Sequence, residues 1–143
     1  NEKMPDHVIT LTLDGFKKCE KSIKDSSILI LGISYKPDVK DVQLSPAKII
    51  IDKLKALGTG IKIYDPYYKG NEIFGINVEH NLENILSEVD ASIIVTGHKE
   101  FQEIDLKIFT KMKTPILIDS RGIIDTASAK DAGLVFRGLG RGI

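Results

Sequence analysis

The sequence is poor in several features that announce a function. It has one cysteine, Cys19, in 143 residues, which excludes an internal disulfide framework and a cysteine-based zinc cluster. That usage is compatible with a reducing compartment, and a cytoplasmic protein is expected. Neither charge is in excess. Twenty basic side chains balance twenty acidic ones, so no electrostatic argument points to nucleic acid. No apolar run approaches the roughly 20 residues that span a bilayer, and the first seven residues lack the charged-then-apolar pattern of a secretion signal. No membrane partner is expected. His7, His80 and His98 are far apart, without metal-ligand spacing. They read as surface or capping residues, and no metal is expected. The three spaced glycines of a dinucleotide fingerprint are also missing, with Gly32 the only candidate. The chain starts on Asn1 rather than Met, which reads as a piece of something longer.

What is present describes an ordinary folded domain. Hydrophobic residues make up 42% and charged residues 28%, a soluble globular composition. A chain of this size buries about 70% of its unfolded surface and holds a core without staples. Apolar residues Ile9, Leu13, Phe16 and Ile23, with Cys19 on the same side, predict an amphipathic helix over 6–23. Pro5 suits its first turn. On that face Cys19 reads as packing, not as a nucleophile.

From residue 28 strands and helices alternate. Ile28–Ile33 is a continuous apolar run, the mark of a strand buried on both faces. Ser45-Pro46 opens a helix with Ile50, Leu54 and Leu57 inward, and Gly58 closes it. A strand over 61–64 ends at Asp65-Pro66, which reads as turn chemistry. Further strands are expected over 91–95, 115–119 and 134–136, with a short extended piece at 76–78. Helices are expected after Asn81, within 101–112 and around 127–131. The fold class is therefore α/β. It is a Rossmann-like three-layer fold with a parallel sheet of about five strands, order 3-2-1-4-5, plus an N-terminal helix.

Ligands of such sheets gather at the carboxyl ends of the strands. There the loop after the first strand carries Tyr35 and Lys36 and runs into the helix start at Ser45. Lys36 is either a solvated loop charge or a phosphate ligand. Asp119-Ser120-Arg121-Gly122 follows the fourth strand. Arg121 is either a surface ion-pair partner or a planar fork for phosphate or sugar oxygens. Two cations at neighbouring strand ends make a better anion site than either alone. The tail from Arg137 to Gly142 is basic and Gly-rich, either a flexible terminus or a nucleotide contact.

Several short motifs occur in a telling order. They are Gly32-Ile33-Ser34-Tyr35-Lys36 leading to Asp41-Val42 and Ser45-Pro46, then Tyr64-Asp65-Pro66, His98-Lys99-Glu100-Phe101 and Ile118-Asp119-Ser120-Arg121. Together they resemble the C-terminal domain of the nucleotide-sugar 6-dehydrogenases. That family includes UDP-glucose, GDP-mannose and UDP-N-acetylmannosamine dehydrogenases. The likeness covers nearly the whole chain, with residues 1–26 resembling the end of the family's central helical region and 27–143 its UDP-sugar-binding domain.

The resemblance implies a role in oxidising the sugar C6 alcohol to a carboxylate, slightly favouring the UDP-N-acetylmannosamine branch, in polysaccharide biosynthesis. It implies UDP-sugar binding by Tyr35, Lys36 and Arg121. NAD would be bound by an N-terminal domain and the cysteine nucleophile carried elsewhere, so this chain alone is not catalytic. Its implied partners are the UDP-sugar, the N-terminal and central dehydrogenase domains and, through the central helix, a second copy in a homodimer. Gln43 stands where the family has an arginine on the cofactor side. It is the one candidate cofactor-binding position, and its missing charge counts against an NAD contact. Cys19 does not match the family's catalytic cysteine, and Leu44 and Gly122 also depart from its pattern. A stand-alone sugar-nucleotide-sensing module and a degenerate interaction domain are the alternatives.

Overall fold

The computed structural model describes residues 3–43 and 45–138. Five parallel strands form the central sheet: β1 (Ser27–Leu31), β2 (Gly60–Tyr64), β5 (Ala91–Ile94), β6 (Ile116–Asp119) and β7 (Val135–Gly138). They lie side by side as β2-β1-β5-β6-β7. Counted among these five, the order is 2-1-3-4-5 rather than the expected 3-2-1-4-5. The reason lies in the piece at 76–78. It is mostly spent on a two-stranded antiparallel ribbon, β3 (Glu72–Ile73) with β4 (Ile76–Asn77). It reaches the main sheet only through one parallel bridge from Val78 to Ile63, on the outer side of β2. The third place of a Rossmann sheet is thus reduced to a single residue pair.

Alternation along the strands builds two cores. Ile28, Ile30, Ile93, Ile116 and Ile118 point to one face and pack under the helices α1 (Met4–Lys18) and α2 (Ala47–Ala56). Leu29, Leu31, Ile94 and Leu117 point to the other. There they meet α3 (Leu82–Leu86), α4 (Lys99–Gln102) and α5 (Thr126–Asp131). Both faces are covered, which is why β1 and β6 read as nearly continuous apolar runs.

The first helix starts and ends earlier than its pattern predicts, and it is rotated. Met4, Val8, Thr12, Gly15 and Phe16 are buried, whereas Leu13 is 40% exposed. Close approach explains the rotation. A Cβ on Gly15 would lie 2.9 Å from Ile116 Cγ2, so only glycine lets the helix sit this near β6. Thr12 enters the core by donating its hydroxyl to the Val8 carbonyl at 2.8 Å. Cys19 is half-buried against the same core.

At the amino edge of the sheet a polar clasp ties the segment that follows α1 to the strands. Lys21 Nζ donates to Asp90 Oδ1 and Thr114 Oγ1, each at 2.8 Å. Asp90 Oδ2 accepts the Ser27 N–H, also at 2.8 Å.

The helix expected within 101–112 is broken into α4 and a 3₁₀ turn, Leu106–Lys111. Asp105 makes the break. Its carboxylate takes the Lys107 N–H at 3.0 Å and starts a new turn. No described helix is long and apolar enough to cross a membrane.

Candidate functional site

Sheet order changes direction between β1 and β5, and a cavity of about 790 Å³ opens there, at the carboxyl ends of the strands. Tyr35, Lys36 and Arg121 all line it. The expected order would make the strands that precede Lys36 and Arg121 neighbours, but β5 lies between β1 and β6. The two cations line one cleft from either side of the β5 end. Gln43 is exposed and does not line it; its N–H turns back to Asp41 Oδ1 at 3.0 Å. Leu44 and residues 139–142 of the basic tail lie outside the described residues.

Each wall has a local cause. Gly32 takes a positive φ of 92°, and a Cβ there would lie 2.5 Å from Thr96 Cβ. The glycine thus serves the contact of β1 with the end of β5. Its open side faces protein, not a pyrophosphate. Thr96 Oγ1 donates to the Ser34 carbonyl at 2.8 Å, welding the two strand ends. Beyond Ser34 the chain forms a tight loop, closed by the Tyr35 N–H on the Asp41 carbonyl. Tyr35 and Lys36 project from it, both exposed. The Lys36 ammonium lies 5.9 Å from the centre of the Tyr35 ring. Ser45 is buried and accepts the Ala47 N–H at 3.1 Å, shaping the start of α2 on the cleft wall.

Arg121 is presented by a buried carboxylate. Asp119 accepts N–H groups of Arg121 and Gly122 at 2.9 Å and of Ile124 at 2.8 Å, folding the turn after β6. Arg121 Nε then donates to the Val95 carbonyl at 2.8 Å. That bond aims the guanidinium across the end of β5. Among the described residues, neither Lys36 nor Arg121 forms an ion pair. The remaining lining is mostly apolar, with Met4, Pro5, Pro46, Ile49 and Ile123 beside the hydroxyl residues Ser45 and Thr96. Two cations that line a largely apolar cleft without an ion pair among the described residues can hold an anion attached to a flat or apolar group.

Behind the loop lies a polar cluster that the sequence pattern did not reveal. His98 stands at the N-cap position of α4, but its side chain is fully buried rather than on the surface and makes no capping bond to that helix. Its Nε2 is 3.0 Å from Asp65 Oδ2, and its Nδ1 accepts the Asp38 N–H at 2.8 Å. Asp65 does serve its turn, taking the Tyr67 N–H at 2.9 Å. It is also fully buried and accepts the Ile33 N–H at 2.9 Å. Tyr67 packs edge-on to the His98 ring and donates to Glu100 at 3.0 Å. Partial burial and that carboxylate hold the Tyr67 phenol above its ordinary value. The available signal was slight: an Asp-Pro at one strand end and a histidine just beyond another. Among the described residues no cluster of His, Cys, Asp or Glu could hold a metal ion.

Comparison with known proteins bears on this cleft. The family model for the UDP-binding domain of the UDP-glucose/GDP-mannose dehydrogenase family matches residues 29–126. The chain belongs to that family. It carries the UDP-binding domain, which includes both strand ends around the cleft. The UDP-glucose 6-dehydrogenase TuaD of Bacillus subtilis is 33% identical over 99% of this chain and 31% of its own length. The UDP-N-acetyl-D-mannosamine dehydrogenase of Pyrococcus horikoshii is 31% identical over 99% of this chain and 32% of its own length. The solved structure of the Pyrococcus horikoshii enzyme superposes with a TM-score of 0.86. An NDP-N-acetyl-D-galactosaminuronic acid dehydrogenase from Methanosarcina mazei superposes with 0.89 at 24% identity, over 99% of this chain and 30% of that one. At that identity the match speaks for the fold alone. The chain spans about a third of the length of the curated relatives it matches.

Proposed function

We propose that the cleft holds the UDP part of a UDP-sugar, with Lys36 and Arg121 on the diphosphate and Tyr35 beside them. The observation that carries this reading is the convergence of two cations, from the ends of β1 and β6 on either side of β5 and without an ion pair among the described residues, on one largely apolar cavity. A diphosphate matches the cations, and an aromatic base or a sugar matches the apolar wall.

The reading extends to a whole enzyme. Residues 27–143 form its UDP-sugar-binding domain, and residues 1–26 end a central helical region. The enzyme oxidises the C6 alcohol of a UDP-sugar to a carboxylate, with NAD accepting the hydrides. Relatives named for UDP-glucose and for UDP-N-acetyl-D-mannosamine support both as candidate substrates. This domain's own residues do not fit NAD: the fingerprint is missing, and the space beside Gly32 is filled by Thr96. NAD and the nucleophilic cysteine then belong to the other domains. Gripping the diphosphate fixes the far end of the substrate, so binding energy spent here positions C6 for chemistry carried out elsewhere. A cytoplasmic homodimer belongs to the same reading, with Leu13 an exposed large apolar side chain of α1 that a second copy could cover.

A titration of the 143-residue chain with UDP, followed by amide NMR, tests the binding claim. Saturable shifts clustered at Lys36, Gly97 and Arg121 are expected. No shift at millimolar UDP would favour a degenerate interaction domain instead.

A further inference from the structure

The motif around His98 and the turn at Asp65 remain without a task in binding. Both are drawn to one place, the underside of the loop that carries Tyr35 and Lys36. Asp38, two residues beyond Lys36, sits at the bend of that loop with φ at 62°, a left-handed conformation uncommon outside glycine and adopted by aspartate more readily than by most residues. Two bonds hold it, both from the segment after β5. His98 Nδ1 accepts the Asp38 N–H at 2.8 Å, and the Lys99 N–H donates to Asp38 Oδ1 at 2.7 Å.

The imidazole cannot drift. A nitrogen that accepts an N–H carries a lone pair, so Nδ1 is unprotonated and the ring proton sits on Nε2. Nε2 then donates to Asp65 Oδ2 at 3.0 Å. Asp65 is itself fixed by the N–H groups of Ile33 and Tyr67, both at 2.9 Å. Tyr67 and Phe101 pack against the ring at centroid distances of 4.8 and 5.5 Å.

We propose that His98 is a positioning residue for the anion-binding loop. Held by Asp65, it clamps the backbone at Asp38 and so presents Tyr35 and Lys36 to the cleft shared with Arg121. This rests on the reading of the cleft as a UDP site. His98 touches no ligand. Its effect passes through the loop backbone, which makes the lysine's position a property of three strand ends rather than of its own loop.

Two kinds of variant separate the parts. His98→Gln can keep a donor near Asp65 but loses the acceptor for Asp38. His98→Asn can keep an acceptor at the Nδ1 position but loses the donor to Asp65. Lys99→Pro deletes the other bond to Asp38 without disturbing the core. Lys99 opens α4, where proline is welcome, and His98 has φ −57° and ψ 144°, the extended backbone that suits the residue before proline. Lys99→Pro therefore remains informative if the His98 variants fail to fold.

The experiment measures two quantities in the 143-residue chain: amide hydrogen exchange at Asp38, and the dissociation constant for UDP. In His98→Gln, exchange should accelerate and UDP affinity fall, each by about tenfold. The losses should be smaller in His98→Asn, and in Lys99→Pro affinity should fall by about threefold. A long-range proton–nitrogen spectrum of the wild type should show the proton on Nε2. The opposite tautomer would overturn the clamp. So would unchanged Asp38 exchange in a folded His98→Gln, and unchanged UDP affinity in both His98→Gln and Lys99→Pro would overturn the positioning role. Failure of the wild type to bind UDP is a separate result: it removes the nucleotide reading, while the exchange data still decide the clamp.

Discussion

The two ends of the central sheet treat their charges in opposite ways. At the amino end Lys21 is spent. Its ammonium meets Asp90 and Thr114, and Asp90 also takes a backbone N–H. At the carboxyl end Lys36 and Arg121 face a cavity with no carboxylate partner among the described residues. A satisfied charge network contributes to stability and offers nothing to a ligand. Unneutralised cations contribute little to stability and keep their interactions for whatever enters. The contrast teaches that the same residue types hold the fold together at one edge and line the proposed site at the other.

The largest way to break this comparison is to attack the frame beneath the cleft. Gly32→Ala puts a Cβ into Thr96 at a positive φ, and should destabilise the domain by about 4 kcal/mol or more, read by urea unfolding. A much smaller loss would mean the strand ends can part, and the cleft would not be rigid.

The amino-end clasp comes next. Asp90→Ala strands the Ser27 N–H and the Lys21 ammonium, and should destabilise by about 1–3 kcal/mol without altering UDP affinity. Its pH dependence has a definite sign. Burial raises the Asp90 carboxyl, but bonds from Lys21 and the Ser27 N–H, with the charges of Lys21 and Lys113, outweigh it and leave it below its ordinary value. A carboxyl depressed in the folded state stabilises above its unfolded-state value and loses that contribution as pH falls through the folded one. Unfolding midpoints measured down through the carboxylate range should therefore fall more steeply in the wild type than in Asp90→Asn.

Lys36→Ala should show the converse. Stability should stay within about 0.5 kcal/mol, because the ammonium is exposed and unpaired. UDP affinity should drop by about 1–3 kcal/mol by calorimetry, the loss of a charge-assisted hydrogen bond. The smallest effect belongs to Cys19→Ser. The thiol is half-buried and does not line the cleft, so UDP affinity should be unchanged and stability lowered by about 1 kcal/mol at most. Lost affinity in a folded Cys19→Ser would contradict its assignment to packing.

Much of this molecule was legible in its sequence. Unbroken apolar runs at Ile28–Leu31 and Ile116–Ile118, with a third at Ala91–Ile94 interrupted by Ser92, announce a sheet covered on both faces, and strand alternation with helices announces parallel pairing. Lys36 and Arg121 were visible because each follows a strong strand end. What stayed hidden depends on contacts between distant segments. Helix periodicity placed Leu13 inward, whereas Gly15 and Thr12 won that face through close packing and a local hydrogen bond. The extended piece near Val78 carries an ordinary strand pattern, yet it pairs mainly with its own hairpin. His98 is a polar residue whose burial is compensated by Asp65 and by the Asp38 N–H. Those partners lie 33 and 60 positions away, and no local pattern reports them.

The central claim is that two cations grip one anion, and a double-mutant cycle on UDP binding tests it most directly. Lys36→Ala, Arg121→Ala and the double variant are compared with the wild type by calorimetry. The account predicts that each single variant weakens binding, and that the double variant departs from the sum of the singles by about 0.5–3 kcal/mol. Wild-type affinity in either single variant, or strict additivity across the cycle, would contradict it.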